Sequence, residues 1–525
     1  QVSQVTVFRE FCCHVLQAMR RLAFSLVCLL LTSHGRRIFF QSGESQKSES
    51  HWQADIASPF RALSTLLLAF TYPTTGWQVS WHGPKLPAAA AQRRAFHGGL
   101  HPQMSATAAR RCVILGGTGR IGTAVAAHMI QISSTPLQVV LAGRDPDRGA
   151  AAVQEVSGDA AAAISSTGST VTYEKLDWRN AQELGAVLAE SAVVVHTAGP
   201  YAGEKPEVLK AAIMGGVPVY VDLSDPVDYL DAAQSLDADA RKAGTLALCA
   251  AGAFPGLSNV LAMECSSMLG DAVQIKNIDF NYFTAGLGGS GEINLLITNE
   301  GFGDYVPVYR SGSYQPQLNA GSDLRRVQFY LNESEPSYAL VGEKTVWNWP
   351  FPEGYVVAKQ MNITGDSNVG MGTAPEIWNT IMGAMCAAVP REWWRSRAFS
   401  QGLARFSRPM VAVTDAFVGE THAMRIDVTS VDGARVSAVQ AHTSFRRVVG
   451  QSCAEFTNAL LQGQGTSLPA SGVYLPERLF ASQDARTPML ERLLSVEGTL
   501  NYGFEVVPPA EGQDLASTQS ETVTQ

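Results

Sequence analysis

At 525 residues, 46% hydrophobic and 16% charged, the chain has the composition of a globular enzyme of about three domain-sized units, with ample material for a core. Charge is unevenly placed: residues 1–110 hold eleven Lys/Arg against four Asp/Glu, a net of +7, which leaves residues 111–525 at −15. An acidic body of that kind argues against nucleic acid as its partner.

Residues 1–110 do not read as a domain. Arg20-Arg21 precede an apolar run, 22–31, closed by Thr32-Ser33, which would be a secretory signal if Met19 were the start and is too short to span a bilayer. From Ile56 to Arg144 there is no acidic residue, and the part up to Arg111 is rich in Ser, Thr, Ala and Pro with scattered Arg. That is the composition of a transit peptide, and the two together predict a bipartite presequence and a plastid (chloroplast) location. A start at Met104 would instead leave a cytoplasmic protein.

At 112–115 a short apolar strand opens into GGTGRIG, with Gly117, Gly119 and Gly122 in the spacing G-x-G-x-x-G before an apolar helix at 120–132. In a dinucleotide-binding βαβ unit the first glycine permits the tight turn, the second lets backbone approach a pyrophosphate, and the third lets helix and strand pack closely. The helix N-terminus then faces the phosphates with free N–H groups and its positive dipole end. A second apolar strand, 138–142, ends in Gly143, Arg144 and Asp145. The place about 20 residues past the last glycine reads the adenosine ribose, and an acid there marks NAD. Here it is Arg144, whose guanidinium suits a 2′-phosphate, so the expected cofactor is NADP(H), with Asp145 beside it pulling the other way.

Further strands are expected at 171–176, 192–196, 217–221 and 245–249, separated by helices near 180–190, 204–214 and 227–243. Such alternation predicts an α/β fold, a Rossmann-type doubly wound parallel sheet over 111–259, with functional residues at the carboxyl ends of the strands. After Asn259 the rhythm changes. Residues 274–283 alternate as half-exposed strands do, and 424–428 pairs with 436–441 across an Asp432-Gly433 turn. A second α+β domain, serving substrate binding or dimerisation, is expected over 260–447, with helices near 375–388 and 391–406. A helix at 448–462 begins a C-terminal segment, 448–507, that can return to the first domain, and a polar tail follows from 508 to 525.

Cys112, Cys249, Cys265, Cys386 and Cys453 are widely spaced and odd in number, with no C-x-x-C, so neither a metal site nor a disulfide framework is expected. Trp393-Trp394 stands among Arg391, Arg395, Arg397, Arg405 and Arg408. Such a segment, 391–408, either rests on a membrane surface or forms a partly buried amphipathic helix.

The pieces GGTGRIG (116–122), AGRD (142–145), TAGPY (197–201), YVDLSD (220–225), GAFPGLSN (252–259), AGLGGSGEIN (285–294), WNWPFPE (347–353), MVAVTDAF (410–417) and GVYLPE (472–477) together resemble the saccharopine dehydrogenase-like oxidoreductases, most of all their plant and cyanobacterial branch. The resemblance covers roughly 111–500. It implies that Gly117, Thr118, Gly119, Arg120 and Ile121 form the phosphate loop, that Arg144 takes the 2′-phosphate, and that Ala198, Gly199 and Pro200 lie along the nicotinamide ribose. It also implies that Tyr201 and Asp222 line the cleft. No arginine occurs in 255–300, a departure from saccharopine-forming enzymes, which need a clamp for a diacid.

Hydride transfer needs a group that supplies a proton beside the nicotinamide. Tyr201 is the expected donor or substrate-binding hydroxyl, its alternative being an aromatic packed at the corner. Asp222 is expected to orient a substrate amine, unless it caps the next helix. The function expected is NADP(H)-dependent hydride transfer to or from a carbonyl, imine or enoyl group of a small or lipid-like molecule. A catalytically idle NADP(H)-binding scaffold or redox sensor is the other class.

Overall fold

The computed structural model describes residues 109–270, 272–286, 291–462 and 468–509, all within the unit Ser105–Gln525. The expected presequence and most of the expected tail therefore lie outside the described residues.

The strands in chain order are β1 Arg110–Leu115, β2 Leu137–Gly143, β3 Thr170–Lys175, β4 Val193–His196, β5 Val219–Asp222 and β6 Leu246–Leu248, then β7 Ile275–Ala285 and a small ribbon of β8 Tyr309–Arg310 and β9 Ser313–Tyr314. They continue with β10 Arg325–Gln328, β11 Glu343–Asn348, β12 Ser367–Thr373, β13 Thr421–Ser430, β14 Arg435–His442, β15 Gly472–Tyr474 and β16 Thr499–Val507.

The first sheet has the order β15-β6-β5-β4-β1-β2-β3 and is parallel throughout. Its central strands read as apolar runs because helices cover both faces, and Cys112, Val113, Ile114, Val193, Val194 and Val195 are all fully buried, whereas the edge strand β3 is polar and partly exposed. Strand order reverses between β1 and β4, so the crevice at their carboxyl ends is where a ligand enters a sheet of this kind. Two helices, Pro146–Asp159 and Ala161–Thr167, fill the stretch the alternation left unassigned, and the single helix expected over 227–243 is two, Val227–Gln234 and Asp237–Ala243.

The second sheet has the order β10-β11-β12-β7-β13-β14-β16, antiparallel except where β12 runs beside β7. The Asp432-Gly433 hairpin pairs Met424 with Gln440 and Val428 with Val436. Alternation along β7 and β13 turns Ile278, Phe280, Tyr282, Met424, Ile426 and Val428 to one face, where they join the main core with the Leu257–Leu269 helix.

The segment after 447 serves both layers. The Phe445–Gln462 helix lies along the Arg120–Ile132 helix so closely that a Cβ on Gly450 would stand 2.5 Å from that of Ala124. β15 then completes the first sheet and β16 the second.

The 391–408 segment forms the Arg391–Trp394 helix and the start of the Arg397–Val418 helix. Trp394 is fully buried against Phe302 and Phe399, and the Arg391 and Arg395 guanidiniums donate to the carbonyls of Ala320 and Gly303. An aromatic that anchors a helix corner in the core is withdrawn from any surface; Arg397, Arg405 and Arg408 remain on the exposed side. Among the described residues, no helix is long and apolar enough to cross a membrane.

Candidate nucleotide-binding site

β1 delivers the chain into a turn held by backbone bonds: Gly117 N–H donates to the Ile114 carbonyl at 3.0 Å, and Gly119 N–H to the Gly116 carbonyl at 2.8 Å. The left-handed residue is Gly116, with φ of +76°. Its Cβ would also meet the Ala198 nitrogen at 2.8 Å. This corrects the expectation for Gly117, whose own constraint is the approach to β2, where a Cβ would lie 2.8 Å from Leu141 Cα. Gly122 packs helix on turn as expected, since its Cβ would stand 2.4 Å from the Gly116 carbonyl oxygen. Gly119 differs: only the Gly116 oxygen comes near, at 3.1 Å, so its outer side is open.

Gly119 is also the N-cap of the Arg120–Ile132 helix, with no side-chain cap and no acidic residue in the first turn. A helix end with no side-chain cap and no acid in its own first turn is electropositive and short of hydrogen-bond acceptors for its first amides, the property a pyrophosphate satisfies, while the nearby Glu155 carboxylate is taken up by Thr123 Oγ1 at 3.2 Å. Arg120 is exposed beside it, and Ile121 is half-buried against the core. Thr118 closes over Gly143, where a Cβ would meet its Oγ1 at 2.6 Å.

Arg144 emerges at the end of β2, exposed and making no ion pair or hydrogen bond among the described residues. Asp145 does not compete with that role. Its carboxylate caps the Pro146–Asp159 helix, accepting from the N–H groups of Asp147 at 3.0 Å and Arg148 at 3.3 Å. The pair is thus divided, the acid spent on the backbone and the guanidinium open to solvent. Ala198, Gly199 and Pro200 run along the end of β4, with Ala198 abutting Gly116.

Tyr201 and Asp222 are placed otherwise than expected. The Tyr201 hydroxyl donates to the His196 carbonyl at 2.6 Å and accepts from the Leu223 N–H at 3.4 Å, and its ring is buried edge-on between His196 and Tyr229. It ties the end of β4 to the end of β5, and a hydroxyl whose proton is committed to a buried carbonyl is not a donor to a substrate. Asp222 is fully buried. Its carboxylate accepts from Ser224 N–H at 3.1 Å, Ser224 Oγ at 2.5 Å, Ala250 N–H at 3.1 Å and Tyr220 hydroxyl at 3.0 Å. Burial pushes its carboxyl up from the ordinary range while these donors pull it back. Both residues brace strand ends, because each finds backbone partners within one strand spacing. Tyr201→Phe, which leaves a carbonyl and an N–H unpaired, is expected to lower stability by about 1–3 kcal/mol in urea unfolding while NADPH affinity stays unchanged.

A neighbouring cluster was missed. At the end of β6 the Phe254 ring stacks on Tyr282 (centroids 4.4 Å apart) and on His422 (5.1 Å), with Phe351 edge-on. Behind it the fully buried Glu353 accepts from the Tyr282 hydroxyl at 2.6 Å and Ser258 Oγ at 3.0 Å through Oε1, while Oε2 has no partner. Burial pushes this carboxyl up to about 7. His422 donates through Nδ1 to the Phe283 carbonyl at 3.1 Å, and burial pushes it down to about 3, so it is neutral. The signal in the sequence was the polar Glu353 closing WNWPFPE and the Tyr282 in an apolar strand.

Residues 112–248 match the family model described as saccharopine dehydrogenase NADP binding domain. No curated protein matches the chain. Among solved structures, it is similar to the saccharopine dehydrogenase (L-Glu forming) from Saccharomyces cerevisiae, at 14% identity over 76% of this chain and 100% of that one, with a TM-score of 0.48. It is also similar to an NADPH-dependent quinone oxidoreductase from Escherichia coli, at 19% identity over 29% of this chain and 52% of that one, TM-score 0.19. A third is the triphenylmethane reductase from Citrobacter sp. complexed with NADP(H), at 14% identity over 32% and 56%, TM-score 0.21. The glycine cradle and the matched segment agree, and residues 112–248 are an NADP-binding domain similar to that of the saccharopine dehydrogenases.

Proposed function

We propose that the chain is an NADP(H)-dependent oxidoreductase that transfers hydride to or from a carbonyl, imine or enoyl group of a small or lipid-like substrate. The observation that carries this reading is the cradle at 116–122 with its uncapped helix, together with Arg144 left open by the capping role of Asp145. Bound NADP(H) supplies or accepts the hydride. The turn and helix amides hold the pyrophosphate, Arg144 takes the 2′-phosphate, and Ala198, Gly199 and Pro200 border the nicotinamide ribose. Phe254, Phe351, Phe445 and His422 form an apolar wall that keeps water from the strand ends and favours an apolar part of the substrate. Glu353, with a carboxyl near 7 and an unpartnered oxygen, holds the proton that a reduced carbonyl or imine takes up.

One observation favours the idle NADP(H)-binding scaffold instead: Tyr201, Asp222, Tyr282 and Glu353 are all buried and hydrogen-bonded within the protein. NADPH oxidation followed against aldehydes, ketones, cyclic imines and enones separates the two. Turnover with one class, lost in Glu353→Gln, supports the oxidoreductase; tight NADPH binding with no turnover in any class supports the scaffold. In either case Arg144→Ala is expected to weaken NADPH by about tenfold or more, the loss of a charged hydrogen bond worth ~1.5–3 kcal/mol, and to leave NADH unchanged. Equal affinity of the unmodified chain for both cofactors would refute the role of Arg144.

A further inference from the structure

The face of the second sheet turned away from the Leu257–Leu269 helix carries a cavity of about 560 Å³, within the range of small-molecule sites, and no role given above uses it. Along β7 the residues that alternate with the core side chains are Asp279 and Asn281, and across the sheet they meet Asn368, Asn348, Arg325, Arg425 and Asp427.

Arg325 is the unusual member. From β10 it reaches across β11 and β12, donating through Nη1 to Asn348 Oδ1 at 2.8 Å and through Nη2 to Asn281 Oδ1 at 3.0 Å. Its niche is built: a Cβ on Gly370 of β12 would stand 2.4 Å from Nη2, so only glycine leaves room for the guanidinium there. Yet Arg325 has no ion pair among the described residues, whereas its neighbours Arg326 and Arg425 are paired with Glu343 and Asp427. Arg310, also lining the cavity, spends its guanidinium on the carbonyls of Tyr309 and Ser367 and has no carboxylate partner either. Two carboxylates are left over in the same way: Asp279 accepts from the Asn368 amide at 2.7 Å, and Asp323 from the amides of Asn348 at 2.7 Å and Asn319 at 3.1 Å, with no cation bonded to either. Burial pulls the Arg325 guanidinium down and pushes the Asp279 carboxyl up, while the attraction between the two works the other way on each.

A cavity that keeps guanidiniums and carboxylates as separate, amide-bonded charges matches a ligand carrying both signs. We propose that it binds a small zwitterion of the amino-acid type, its carboxylate on the fork of Arg325 and its ammonium toward Asp279, at a site separate from the nucleotide cradle. Arginine supplies the bidentate geometry that a carboxylate needs, and Asp279 the acceptor.

The test is calorimetric titration of the full chain with the standard amino acids, one at a time, and with propionate and ethylamine as single-charge controls. At least one amino acid is expected to bind saturably at one per chain, with the single-charge controls about tenfold or more weaker. Arg325→Gln and Asp279→Asn are each expected to lose about tenfold or more of that binding while keeping NADPH affinity, which shows that they fold. Binding that survives Arg325→Gln, competes with NADPH or is matched by propionate overturns the proposal. So does the absence of binding by every amino acid, and a dimer of this chain dissolved by the same two substitutions would then identify a second copy as the occupant.

Discussion

Gly122→Ala is expected to abolish NADPH binding, with affinity falling about 100-fold or more, ~2.7 kcal/mol. The new methyl would lie 2.4 Å from the Gly116 carbonyl oxygen and 2.6 Å from Gly117 Cα, both backbone atoms that no rotamer change can move. The helix start must then back away from the turn, and the amides that converge on the phosphates separate. Gly119→Ala is the companion. Its only close contact would be at 3.1 Å and its φ of −89° suits any residue, so the fold should melt as before while affinity still drops, because the methyl occupies the open side that the phosphates approach. Fluorescence titration with NADPH beside thermal melts of both variants checks this; a Gly122→Ala chain binding NADPH within about threefold of the parent would refute the assignment of the cradle.

Glu353→Gln is expected to stabilise the chain at neutral and higher pH. The sign follows from proton counting: the folded carboxyl releases its proton only near 7, the unfolded one near the ordinary glutamate value, so between these the native state binds more protons. Stability must therefore fall as pH rises through that window and level off above about 7. Glu477, also pushed up to about 7 and accepting from Asn259 at 2.8 Å, adds to the same slope. Glutamine keeps an oxygen for the Tyr282 and Ser258 hydroxyls without a charge to bury, so the variant should gain on the order of 3 kcal/mol above pH 7 and nothing near pH 4. Urea unfolding of the full chain and the variant across that range gives the two curves. If they run parallel, Glu353 is not the group responsible.

The parts of this protein legible in the sequence are those governed by neighbours along the chain. Parallel strands buried on both faces must be apolar throughout, which is why β1, β2, β4 and β5 announce themselves; a turn that starts a helix against a strand needs glycines at set intervals; and Asp432-Gly433 meets the backbone demand of a tight hairpin. The exact left-handed position shifted by one residue, to Gly116, because two adjacent glycines can each make the turn and the positive φ falls on the one that packs against Ala198, just beyond β4.

What the sequence determined by itself is the frame of the nucleotide-binding half: the succession of its parallel strands and the glycine turn that opens it. What only the tertiary structure decided is which polar side chains remain available for chemistry. Tyr201 looked free until the register of β4 beside β5 set the His196 carbonyl and Leu223 N–H against its hydroxyl. Glu353 meets Tyr282 and Ser258 from 71 and 95 residues away, and Arg325 meets Asn281 across 44. A side chain's reactivity depends on which donors, acceptors and charges surround it after burial, and those come from distant segments whose approach is fixed by sheet register and helix packing, quantities to which no local pattern of residues is sensitive.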